Sequence, residues 1–159
     1  MTCARITMDD PRYDGERDLR NRVLLRPIGL PDHAWEMHDR DAFHFVAVED
    51  GKVVGCVVLH PSPETPGSAR LMQMAVEPAL QKRGIGTELV RRLMAFAEAK
   101  GYAEVCCHSR ESAVAFYRRL GFEEYAAPFV EVGVLHRHMR RRVGSIAGRG
   151  RGANGTTAS

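Results

Sequence analysis

An apolar run from Leu71 to Val76 reads as a buried strand, and Glu77-Pro78 stops it, because proline has no N–H to give a sheet. After a short basic stretch, Leu89, Val90, Leu93, Met94 and Ala97 recur at helical spacing. Lys100-Gly101 ends that helix with a cation near the C-terminal dipole and a residue able to take positive φ. The segment is therefore strand, glycine loop, helix.

The rest of the chain takes its pattern around that segment. Ala4 to Met8 fits a short first strand, and Tyr13 to Leu25 carries Leu19, Val23 and Leu24 at helical spacing. Arg26-Pro27 is expected to end that helix, since proline disfavours a helical residue before it. A loop or broken helix, Ile28 to Asp41, holds the single tryptophan, Trp35. Phe43–Val48 and Lys52–His60 form two strands around Asp50-Gly51, a strong hairpin signal. Pro61 to Gly67, with three prolines, is a loop. Tyr102–Ser109 is the next strand and Ser112–Leu120 a helix stopped by Gly121. Phe122–Tyr125 and Val130–Met139 close the pattern as strands. The expected class is α/β (α+β), a sheet covered by helices.

The loop Gln81-Lys82-Arg83-Gly84-Ile85-Gly86 carries the first chemistry. A helix start has backbone N–H groups without acceptors, and two glycines let a ligand approach the chain closely. An anion, above all a phosphate, suits such a place. The Walker-type loop is excluded, because Gly86 is followed directly by Thr87 with no lysine between. The dinucleotide fingerprint is excluded too: Leu89 occupies the place of its third glycine. On this stretch alone, a tight turn that binds nothing explains the glycines as well.

Two blocks together point further. Gln81-x-x-Gly84-x-Gly86 after a strand ending in Val76 resembles the acetyl-CoA pyrophosphate loop of the GNAT family of N-acetyltransferases. Downstream, Ala113-Val-Ala-Phe116-Tyr117-Arg-Arg-Leu120-Gly121-Phe122 resembles that family's A-x-x-x-Tyr-x-x-x-Gly-Phe helix and turn. Leu19-Arg20 with Val23-Leu24, Gln73-Met74-Ala75-Val76, and Phe129 to Met139 resemble the ElaA/YjcF-like subgroup. The resemblance covers most of residues 3–143, expected as one N-acetyltransferase domain, and implies the GNAT fold, a mixed, mostly antiparallel central sheet flanked by helices.

It also implies site residues. The backbone of Met74, Ala75 and Val76 would hydrogen-bond the pantetheine arm of acetyl-CoA, and an N–H near Met74 or Ala75 would receive the oxyanion. Gln81, Lys82, Arg83, Gly84, Ile85, Gly86 and Thr87 would hold the pyrophosphate. Tyr117 matches the tyrosine that protonates the leaving thiolate, a duty suited to a phenol that keeps its proton at neutral pH. A packing role beside Phe116 is the alternative. Arg110 stands where the family often has asparagine, and would meet a cofactor phosphate, an acidic substrate, or only the strand end. His108 lies at the C-terminal end of a strand, where open sheets place sites; it is a base or a structural histidine. Glu131 and His136 are substrate contacts, a base relay through water, or a link holding the last hairpin.

Composition refines this picture. With 159 residues and 44% hydrophobic content, the chain suits one soluble domain. No apolar run reaches the roughly 20 residues of a membrane helix. The first residues lack the apolar core of a signal peptide, so a cytoplasmic location is expected. The net charge of +3 is uneven. Six arginines lie at or beyond Arg137, leaving 17 bases against 20 acids before it, a net −3 that suggests no nucleic-acid surface. Cys3, Cys56, Cys106 and Cys107 match no zinc spacing and read as reduced, packed thiols, with Cys106 and Cys107 on opposite faces of their strand. The histidines form no ligand spacing, and no metal is expected. Residues 144–159, rich in glycine and small polar groups, have the composition of a disordered tail.

The expected activity is transfer of an acetyl group from acetyl-CoA, as co-substrate, to a primary amine of a small molecule or peptide, by a monomer or homodimer with no membrane partner. A GNAT-fold module that holds acyl-CoA without turnover is the alternative from another class.

Overall fold

A computed structural model describes residues 1–62 and 64–144. Of the expected tail only Gly144 falls within that range. The chain divides into two compact units: Met1–Pro61 with Leu71–Leu93, and Ser62–Arg70 with the chain from Met94 onward.

The first unit is a sheet of β1 (Thr2–Ile6), β2 (Phe43–Glu49), β3 (Lys52–Pro61) and the later part of β4 (Ser68–Val76), in that order. β1 pairs antiparallel with β2, Ile6 facing His44, and β2 with β3, Phe43 facing Leu59. The hairpin turn falls on Asp50-Gly51 as expected; φ is 52° and 75° there, the left-handed backbone that tight hairpins demand. β1 begins two residues before the expected strand and ends at Ile6, and β4 begins at Ser68 rather than Leu71.

Helix α1 (Arg12–Arg20) continues through a π-helical turn, Asn21–Leu25, and a 3-10 turn, Arg26–Ile28, and stops at Gly29 with φ 79°. The expected stop at Arg26-Pro27 is thus early. Pro27 sits at the start of the 3-10 turn, where its missing N–H leaves no bond unmade. Val53 lies 2.9 Å from where a Cβ on Gly15 would stand, so α1 rides close on β3 because residue 15 has no side chain. Ile6, Tyr13, Leu19, Val46, Cys56 and Ala75 form the core beneath it.

The same buried face of α1 carries charge. Arg20 is 2% exposed and Glu16 is fully buried. Arg20 donates to Glu16 Oε2 at 2.8 Å and to both oxygens of buried Asp39, at 3.1 and 3.2 Å. Tyr13 Oη donates to Asp39 at 2.5 Å. His44 Nδ1 faces Glu16 Oε2 and Nε2 faces the Asp39 carbonyl, both at 2.8 Å. With an acceptor at each nitrogen, the ring is held as imidazolium. Two cations and two anions then balance inside the unit. Removing one member of such a cluster typically costs about 3–5 kcal/mol, because a buried charge loses its partner.

The second unit holds β5 (Glu104–Arg110), β6 (Glu123–Glu124), β7 (Phe129–Glu131) and β8 (Val134–Arg142), with β8 central. β8 runs antiparallel to β5, His138 facing His108 and His136 facing Arg110. A 3-10 turn, Glu111–Ala113, leads into α3 (Val114–Arg119), which Gly121 closes with φ 91°. Burial alternates along β5: Val105, Cys107 and Ser109 are buried, while Cys106, His108 and Arg110 are partly open. The adjacent cysteines therefore take opposite faces, and all four cysteines are free thiols.

Two expectations change here. The strand expected over Val130–Met139 is a hairpin, cut at Val132-Gly133, where φ is 50° and 73°. The strand expected to end at Met139 also runs on to Arg142, taking in Arg140 and Arg141. Arg137 bonds Glu111 at 2.8 Å and Glu124 at 3.2 Å, and Arg141 donates to the Leu120 carbonyl at 2.9 Å. Pairing with β5 draws these arginines into the sheet.

Two stability outcomes are expected. Burial opposes charge on His44, but the hydrogen bond and negative charge of Glu16 prevail, and its pKa is raised. The unfolded value is about 6.5. Its contribution is therefore whole below that pH and lost as pH rises through the raised value. Urea unfolding should show stability falling upward from about pH 6.5, and His44→Gln should flatten that part of the profile. Separately, Val132→Asn should raise the unfolding free energy by about 1 kcal/mol, because valine pays for left-handed backbone that asparagine tolerates.

Candidate active site

In the first unit the strand–loop–helix forms as the sequence suggests, with one refinement. A 3-10 turn, Pro78–Leu80, follows β4, and helix α2 (Ile85–Lys100) begins at Ile85. Gly84 accepts the first helical bond, from Glu88 N–H at 3.0 Å, and so caps the helix. The unbonded N–H groups of the first turn thus belong to the stretch that includes Gly84, Ile85, Gly86 and Thr87. Gly86 lies inside the helix, not in the loop.

Gly84 takes φ 87° and Lys82 φ 67°, and left-handed residues interleaved in a loop are the backbone pattern of an anion-binding nest. No atom lies within 4 Å of where a Cβ on Gly84 would stand, so the loop is open there. Gln81, Lys82 and Arg83 are exposed. Gln81 Nε2 bonds the Val76 carbonyl at 3.2 Å and ties the loop to the strand end. Ile85 is buried, and its Cγ2 lies 2.9 Å from a Cβ built on Gly55, so only glycine at position 55 lets the helix start seat on β3. A bare helix N-terminus, two cationic side chains and open backbone fit a pyrophosphate.

Met74, Ala75 and Val76 end β4, with Ala75 packed into the core. The residue before them, Gln73, has φ 55°, a break in the regular strand. Its Nε2 donates to the Trp35 carbonyl at 2.9 Å, and its own carbonyl faces Cys56 Sγ at 3.6 Å. Arg20 reaches the same Trp35 carbonyl at 3.3 Å. The sequence marks Gln73 only as part of a strand; nothing in its pattern shows the break.

In the second unit, Tyr117 is 6% exposed and packs edge-on against Phe116 and Phe122, with centroids 5.0 and 5.5 Å away. The Phe122 N–H bonds back to the Tyr117 carbonyl at 3.0 Å, which is how the Gly121-Phe122 turn holds the tyrosine. Burial, then the nearby Cys107, raises its pKa far above the ordinary phenol value. Tyr117 therefore keeps its proton at neutral pH.

His108, Arg110, Glu131 and His136 share the opposite face of that unit's sheet, since His108 and Arg110 alternate with Cys107 and Ser109. His108 Nδ1 lies 2.7 Å from Arg70 Nη2 and 3.2 Å from Glu131 Oε1. His136 Nδ1 bonds the Val134 carbonyl at 2.8 Å. Phe129 stacks on His138 at 4.2 Å and on His136 at 5.6 Å, and meets His108 edge-on at 5.0 Å. Arg110 ends β5 opposite His136. The structure thus gathers the four expected substrate residues and adds Arg70, Phe129 and His138. Arg70 lies in the three residues of β4 that precede the expected strand; continuing the strand back through Ser68-Ala69-Arg70 would have found it. Among the described residues no group of His, Cys, Asp and Glu is arranged to hold a metal ion, and no helix is long and apolar enough to cross a membrane.

A family model described as the acetyltransferase (GNAT) family matches residues 7–122. The probable N-acetyltransferase camello of Xenopus tropicalis is 32% identical over 115 residues, covering 70% of this chain and 52% of the frog protein. The chain spans about half the length of the curated relatives it matches. Among solved structures, Escherichia coli ElaA superposes with a TM-score of 0.78 at 16% identity, over 88% of this chain and 98% of that one. An aminoglycoside 6'-N-acetyltransferase complexed with coenzyme A superposes at 0.77 and 18% identity, over 95% and 100%. These two show the shared fold.

Gly86→Val places a branched side chain in the first turn of α2. Calorimetric titration with CoA should show binding weakened at least tenfold while the thermal midpoint holds within a few degrees. Wild-type affinity in the variant would mean the helix start is only a turn.

Proposed function

The chain belongs to the acetyltransferase (GNAT) family, and from that premise we propose that it moves an acetyl group from acetyl-CoA to a primary amine by direct attack. The observation that carries this reading is the start of α2: open backbone at Gly84, free N–H groups in the first helical turn, and exposed Lys82 and Arg83 beside them. These groups hold the pyrophosphate. The backbone of Met74, Ala75 and Val76 takes the pantetheine arm, and an N–H near Met74 or Ala75 receives the negative charge that develops on the thioester oxygen.

In the transfer the amine nitrogen bonds to the thioester carbon and the carbon–sulfur bond breaks. Of the three protons on the incoming ammonium, one leaves before attack, one stays on the amide, and one balances the thiolate. Tyr117 supplies the thiolate's proton and is restored, by way of solvent, from the nitrogen. The buried phenol keeps its proton at neutral pH, so the hydrogen is in place when the thiolate forms. The face carrying His108, Arg110, Glu131 and His136 meets the acceptor, a small molecule or peptide bearing the amine.

Tyr117→Phe removes one oxygen and leaves the ring packing. A thiol-release assay across an amine panel should show kcat reduced by about 10²- to 10⁴-fold, with CoA affinity unchanged because the bond matters in the transition state. Wild-type turnover in the variant would remove the acid role. CoA binding without acetylation of any amine would favour a non-catalytic acyl-CoA-binding module instead.

A further inference from the structure

The histidines of the β5–β7–β8 face are told apart by what their Nδ1 atoms touch. The partner of His136 Nδ1 is the Val134 carbonyl at 2.8 Å. A carbonyl only accepts, so Nδ1 carries the hydrogen, and in the neutral ring Nε2 is left with the lone pair. The partner of His108 Nδ1 at 2.7 Å is the Arg70 guanidinium, which only donates. Nδ1 there is the lone pair and Nε2 carries the hydrogen. Glu131 Oε1 competes for the same Nδ1 from 3.2 Å. An ionised carboxylate cannot donate to a lone pair, and the arginine, always charged, stands closer. Phe129 touches both rings, stacked on His136 and edge-on to His108.

We infer that His136 is the general base that takes the proton from the acceptor ammonium at Nε2, and that His108 is a hydrogen-bond donor to a second, oxygen-bearing group of the same acceptor through Nε2–H. Arg70 is the positioning residue that sets the His108 tautomer, and the Val134 carbonyl does the same for His136. The inference rests on the acetyl transfer proposed above. It supplies that reaction's missing proton acceptor: the ammonium proton passes to His136 Nε2 and then to solvent, and the free amine attacks. It also limits the acceptor to amines with a carbonyl, carboxylate or hydroxyl oxygen close to the nitrogen. The groups around His108 agree with a neutral donor. Burial and then Arg70 lower its pKa, His138 adds to the effect, and Glu131 opposes it. His136 is faced by Arg110 across the β5–β8 register. It retains 8% of its surface open.

Two measurements on the full chain test this. Long-range proton–nitrogen correlation at neutral pH reads each ring nitrogen directly and needs no acceptor. The expected pattern is a protonated Nδ1 and bare Nε2 on His136, and the reverse on His108. Arg70→Met should release His108 Nδ1 to Glu131 and invert that ring alone. Equal tautomers on the two rings, or a protonated Nε2 on neutral His136, would overturn the inference. The second uses the first amine that the panel shows to be acetylated. His136→Asn keeps a donor for the Val134 carbonyl but has no base. It should lose about 10²- to 10⁴-fold in kcat/KM at neutral pH, and the loss should narrow as rising pH deprotonates the amine. A loss equal at every pH indicates a structural role and overturns the base assignment, as does wild-type turnover in the variant. His108→Leu should raise KM more than His108→Gln, which keeps a donor near the Nε2 position; equal effects overturn the donor role. Failure of the wild type to acetylate any amine while it binds CoA sinks the acetyl-transfer reading and the base role together. Turnover by the wild type separates that outcome from failure of the inference alone.

Discussion

Arg20 is the residue on which the first unit depends. Its guanidinium reaches Glu16 on its own helix, Asp39 in a later 3-10 turn, Glu36–Asp41, and the carbonyl of Trp35. A buried guanidinium is costly unless its donors are used, and here the acceptors come from three places along the chain. The segment between α1 and β2 is therefore held by charge as well as by the apolar burial of Leu25. The Trp35 carbonyl also receives Gln73, at the break in β4 just before Met74, Ala75 and Val76. The strand end assigned to the pantetheine arm is thus tied to a charged cluster. His44, doubly bonded within that cluster, makes it sensitive to pH.

The second unit divides its chemistry between two faces of one small sheet. On one face Tyr117 is enclosed by aromatic rings beside Cys107, and burial keeps the phenol protonated. On the other, polar and aromatic side chains from β5, β7 and β8 meet Arg70. A strand allows this because neighbouring residues point to opposite sides. Cys107 and His108 are adjacent in sequence but serve different environments.

The sequence by itself determined the elements with strong periodicity or unambiguous punctuation. The run before Pro78, the helical spacing from Leu89 to Ala97, the Asp50-Gly51 turn and the Gly121 stop all rest on local physics: a missing N–H, a 3.6-residue repeat, left-handed backbone. The glycine loop and the helix that carries Tyr117 were legible for the same reason, since each lies in one short continuous motif. The family match over residues 7–122 bears out the kinship those motifs suggested.

What only the tertiary structure decided depends on contacts between distant residues. The helix runs past Arg26-Pro27 because a 3-10 turn absorbs the proline. The closing strand folds back at Val132-Gly133, where a valine accepts left-handed backbone against its own preference. Arg70 finds His108 38 residues away, and Glu131 finds the same ring across 23. No periodicity records such meetings. For His108 the closest neighbour of Nδ1 is Arg70, brought there by the fold and not by the sequence around the histidine.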